Sequence, residues 1–98
     1  MPTLTAPKLV SSRDQARELT AGLPADLADA TVIVDCSALQ ASTPSFVDEL
    51  VKVCLVERHA RGLVLARAPE RTAELARRAA RNQQVADRLE IDPPIDLD

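Results

Sequence analysis

A chain of 98 residues in which 46% are apolar and 28% are charged, with the signs well mixed, fits one small globular domain (1–98) rather than a disordered segment. Its formal charge of −3 lacks the basic excess of a dedicated nucleic-acid binder, and Phe46, the single aromatic residue, leaves no stacking platform for single strands, so no nucleic-acid partner is expected. No apolar run approaches the roughly 18 residues of a membrane span, and Met1–Val10 has no charged start followed by an apolar block. Neither a membrane segment nor a signal peptide is therefore expected. Cys36 and Cys54 sit in apolar stretches and form no CxxC pair, which makes a reduced, cytoplasmic setting the default.

In chain order, residues 1–7 read as loose and Lys8–Val10 as a short strand. A helix follows over Ser11–Leu23. Ser12 caps it, with Gln15 in capping-box spacing, and Ala16, Leu19 and Leu23 mark an inward face that Gly22 can end. Thr31–Ser37 is the clearest strand; its continuous β-branched run suggests burial on both faces. The next helix runs from about Pro44 to Arg58. Pro44 suits its first position, Thr43 its N-cap, and Asp48 and Glu49 its positive end. Gly62–Arg67 is a second buried strand, Pro69 opens a third helix, residues 84–89 add a turn, and residues 90–92 form a last edge strand before a tail at 93–98. This alternation predicts an α/β fold: a small two-layer sandwich with a mostly parallel four-stranded sheet, three to four helices and right-handed crossovers.

The residues offer no catalytic constellation, so the chain is not expected to be an enzyme. His59 lies about 20 Å along the helix from Ser45, too far to activate it. Neither cysteine has a second ligand at zinc-like spacing, and Gly22 and Gly62 are too far apart to cradle a phosphate. No metal and no cofactor are expected. Asp35 ends a buried strand and is suited to accept loop N–H groups, with Ser37 the nearest polar neighbour. Arg71, Arg78, Arg81 and Arg88, with Arg67 and Arg77 nearby, read first as a solvated face interleaved with Glu70 and Glu74, and second as a docking patch for an acidic partner.

At 32–50, "VIVDCSALQASTPSFVDEL", the chain resembles a STAS domain, the fold of bacterial anti-sigma-factor antagonists. Such domains carry a buried strand ending in Asp-x-Ser and then Asp-Ser-Ser-Gly opening a helix. The STAS-like subfamily resembles the chain more closely, through "SRDQAREL" at Ser12–Leu19 and "SFVDEL" at Ser45–Leu50. The resemblance covers about residues 8 to 91, on short motifs.

It implies a non-catalytic regulatory module in bacterial signalling and transcription control. The partner would be an anti-sigma factor or a related kinase-like regulator that phosphorylates a serine at the helix start. The chain departs from the pattern where Thr43 and Pro44 fall on the family's Asp and phosphorylated Ser, and Phe46 replaces Gly. Ser45, Thr43 and Ser42 are the remaining acceptor candidates. The N-terminal hairpin of full STAS domains is absent or reduced. Ser45, Asp48, Glu49 and Lys52 share an outer helix stripe, continued by Val56, and are the expected partner surface. Phosphate on Ser45 would gain from the helix N-terminus and be repelled by Asp48 and Glu49. Alternatives are an unregulated adaptor or assembly protein of the same fold, a small-ligand or lipid binder, and a thiol-based enzyme or redox sensor using Cys36. A monomer or weak homodimer is expected, with no membrane partner.

Overall fold

The computed structural model describes residues 2–92. One sheet holds four parallel strands in sequence order: β1 (Thr3–Thr5), β2 (Thr31–Asp35), β3 (Gly62–Ala66) and β4 (Leu89–Asp92). Helices α1 (Arg13–Thr20), α2 (Pro44–Val51) and α3 (Glu70–Asn82) join successive strands. With neighbours paired in sequence order, right-handed crossovers put all three helices on one face. The α/β architecture expected from the sequence is thus the one observed.

Burial follows from that topology. Val32, Val34, Leu63 and Leu65 point under the helices and are at most 1% exposed. The intervening Thr31, Ile33, Val64 and Ala66 are half-buried on the open face. The β-branched run of β2 is therefore not buried on both faces, because no crossover reaches the second face. The core beneath the helices is aliphatic, with Phe46, Leu50, Val51 and Leu55 of the central helical segment packed against the sheet and its neighbours.

Several boundaries differ from expectation. Residues 1–7 are not all loose: Thr3–Thr5 is the first strand, and Pro2 already accepts the Ile33 N–H at 2.9 Å. Lys8–Val10 is not a strand but a loop touching Ala41 by a single parallel bridge. Gly22 does not end α1 in a left-handed conformation; Thr20 Oγ1, donating to the Ala16 carbonyl at 2.9 Å, accompanies that end instead. After Val51 the central helix widens into a π-helical segment, Lys52–Glu57, closed by the Arg58 N–H to the Val53 carbonyl. A 3₁₀ turn, Ala86–Arg88, precedes β4. No antiparallel strand pair occurs among the described residues. The expected tail, 93–98, lies outside the described residues.

Candidate functional site

The end of the molecule at the carboxyl ends of the strands gathers Asp35, Ser37, Ser42, Thr43, Pro44 and Ser45. Asp35 closes β2, and its Oδ1 accepts the Ser37 N–H at 2.9 Å. Arg67, just beyond β3 with φ 58°, adds its guanidinium at 3.2 Å. The Ser37 contacts first, and Arg67 after them, hold the Asp35 carboxyl below its ordinary value. The expected structural role of Asp35 is met, with Arg67 an unforeseen second partner.

Three elements converge on the start of α2. The Gln40 and Ala41 N–H groups donate to the Lys8 carbonyl at 2.8 and 3.2 Å, which clasps the β1–α1 loop to the β2–α2 loop. Thr43 caps α2 as expected: its Oγ1 accepts the Phe46 N–H at 3.3 Å. The same hydroxyl donates to the Ser11 carbonyl at 2.9 Å. Pro44 occupies the first helical turn.

The three hydroxyls therefore separate. Ser42 is half-buried and its Oγ lies 2.8 Å from Oγ1 of Thr72 in α3. Thr43 is committed on both sides. Ser45 alone of the three is exposed.

The expected outer stripe is only partly outward. Ser45, Lys52 and Val56 are exposed. Glu49 is not; it is 4% exposed and faces α1, where Arg17 Nε lies 2.6 Å from Oε2 and Arg13 3.1 Å from Oε1. Asp48 is half-buried, held by Arg13 at 2.9 Å and by the Gln83 amide at 3.0 Å. Neither acid lies in the first turn of α2, so the expected dipole contact is absent. The reason is lateral: α1 and α3 flank α2, and a central helix has neighbours on both sides.

The arginine set also divides. Arg88 points inward and donates to the Ala60 and Leu55 carbonyls at 2.6 and 2.9 Å, so it belongs to no surface stripe. Arg77 pairs with Glu74 and Arg67 with Asp35. Arg71, Arg78 and Arg81 are exposed, with no carboxylate within 4.0 Å among the described residues.

Two features escaped the sequence reading. Leu9, between exposed Lys8 and buried Val10, is 62% exposed beside Ala41, the largest exposure of a large apolar side chain among the described residues. Arg13 and Arg78 line one depression together with Pro44 and Ser45. The contact of Arg13 with Asp48, 35 positions away, has no local signal.

Both thiols are buried. Burial, then the neighbouring Asp35, pushes Cys36 up to about 11, and burial pushes Cys54 up to about 12. A neutral thiol of this kind is the opposite of an activated thiolate. His59, with φ 58°, is exposed beyond the far end of the π-helical segment. Among the described residues no group of three His, Cys, Asp or Glu is placed to hold a metal, no buried side-chain nitrogen or oxygen lacks a partner, and no helix is long and apolar enough to cross a membrane.

No family model, no curated protein and no solved structure matches the chain.

Proposed function

We propose that the chain is a non-catalytic, STAS-like interaction module of bacterial regulation. It binds a protein partner of the anti-sigma-factor or kinase-like type with the end of the molecule around the start of α2. The observation that carries this reading is the pairing of an exposed apolar anchor, Leu9, with an exposed helix-start hydroxyl, Ser45, on one clasped set of loops. In this reading Leu9 is the apolar anchor of the surface and Ser45 the site of its control.

Ser45 is the phosphoacceptor of this reading, since Ser42 and Thr43 spend their hydroxyls internally. Its surroundings favour a phosphate more than the sequence suggests. Glu49 is turned away beneath two arginines, and Asp48 is already paired with Arg13, so the helix N-terminus and the exposed Arg78 dominate. A group bearing about −1.5 to −2 charges there alters the docking surface at its centre. Partner binding is then lost on phosphorylation.

The test is capture from host lysate by the tagged protein, repeated with Leu9→Asp and Ser45→Glu. Capture of one kinase-like regulator, lost in both variants, is the expected result. Equal capture by all three proteins would remove this surface from consideration. One further reading draws on a specific residue: Pro44, at the family's acceptor position, favours an unregulated adaptor. Partner capture that persists with no phosphate on Ser45 after exposure to that kinase selects it.

A further inference from the structure

The depression between α2 and α3, about 300 Å³ in volume, borders Ser45 and includes the Arg78 that the proposed function sets beside its phosphate. Pro44 of α2, which is exposed, gives it an apolar wall, and Leu75 and Ala79 of α3, 6% and 5% exposed, lie at its floor. Its carboxylate, on Asp48, is already engaged by Arg13 and Gln83. Arg78 is exposed at the same depression, with no carboxylate within 4.0 Å among the described residues. Thus an acidic chain presents here an apolar wall beside an unpaired guanidinium. Arg71, seven positions earlier on α3, lies about 10 Å along the same side of the helix and is likewise unpaired among the described residues.

We infer that this groove docks an acidic, apolar-bearing segment of a partner protein. A carboxylate of that segment takes Arg78, and an adjacent apolar side chain packs on Pro44. Guanidinium and carboxylate match as planar two-point partners, and leaving water strengthens the pair. A basic segment would meet Arg71 and Arg78 with like charge. A nucleic-acid strand would find Arg78 but no aromatic surface, since Phe46 is buried at 2% exposure. The inference rests on the reading of this end as a partner surface, and it names the chemistry of what binds there.

The test uses the full chain and a fluorescein-labelled synthetic peptide rich in Glu and Leu, followed by fluorescence anisotropy. Its control peptide has Gln for every Glu. The Glu peptide binds, the Gln peptide binds about tenfold more weakly, and Arg78→Ala weakens the Glu peptide about five- to tenfold. Arg81→Ala, on an arginine that does not line the groove, leaves binding unchanged, and Asn82→Trp at the rim blocks it. Absence of binding overturns the inference. So do equal binding of the two peptides, equal losses in Arg78→Ala and Arg81→Ala, or tighter binding of a single-stranded oligonucleotide. Because the probe is synthetic, its failure leaves lysate capture through Leu9 and Ser45 standing, and failure of that capture leaves the peptide result standing.

Discussion

Arg17 Nε stands 2.6 Å from Oε2 of Glu49, a carboxylate whose side chain is 5% exposed, while the arginine remains 50% exposed. Arg13 takes the other oxygen of Glu49. A buried carboxylate is tolerated only when its lone pairs are occupied, and here two residues of α1 occupy them. The pair thus fixes α1 against α2. Glu49→Ala and Glu49→Gln are each expected to lower stability by about 1–3 kcal/mol in urea unfolding. Unchanged midpoints in both would mean that the contact adds nothing to packing.

Thr43 joins two structures through one hydroxyl. It caps α2 and holds the β1–α1 loop through Ser11. Thr43→Ala should cost about 1–2 kcal/mol, and Thr43→Ser should recover most of it. Because Leu9 sits on that loop, Thr43→Ala should also speed hydrogen exchange at Val10 and Ala41. A loss of stability with no change in exchange at those amides would separate the cap from the clasp.

Arg88 closes the far end of the same helical rod. Its guanidinium donates to the Leu55 carbonyl, in the π-helical segment, and to Ala60 beyond it. Carbonyls at a helix C-terminus are unpaired by the helix itself, and a cation there also meets the negative end of the dipole. Arg88→Ala is expected to cost about 1–3 kcal/mol, with faster exchange over residues 55–60. Arg81→Ala on the surface should be near neutral; equal losses in the two would contradict the inward role of Arg88.

Stability should fall at both ends of the pH scale for separate reasons. Asp35, held low by Ser37 and Arg67, and Glu57, held low by Arg17, are depressed in the folded state. The unfolded chain therefore takes up protons first as pH falls. Their contribution is present above the ordinary carboxylate range and is lost as pH drops through the folded values. Asp35→Asn with Glu57→Gln should flatten the acid limb. The thiols are raised from 9.0 to about 11 for Cys36 and about 12 for Cys54, so their contribution is complete below pH 9.0 and is lost as pH rises toward those values. At pH 8 neither thiol should react with an aromatic disulfide reagent until the chain is unfolded; prompt reaction of Cys36 would restore the thiol-chemistry reading.

What was legible in the sequence was local. Ser12 with Gln15, and Thr43 with Pro44, are caps whose partners lie within three positions, and both caps form. The alternation of strands and helices likewise announced a parallel α/β sheet. Thr3–Thr5 escaped because three residues carry no period; only pairing with Ile33–Asp35 makes them a strand. Leu9 escaped for the opposite reason. Its neighbours look strand-like, yet they are held by the clasp to Gln40 and Ala41 and by buried Val10 rather than by a sheet ladder, and Leu9 between them is left in water.

By itself, then, the sequence determined the kinds of element, their order and the capped start of α2, because each depends on contacts a few residues apart. Only the tertiary structure decided which charges are surface and which are structural. Glu49 became the buried link to α1, Arg88 the cap of a distant carbonyl pair, and Arg78 a cation beside Ser45 with no carboxylate partner among the described residues. The physical reason is that an ordered parallel sheet sets its crossover helices side by side. A helix wheel shows the inward face toward the sheet, but not the flanks that neighbouring helices will cover.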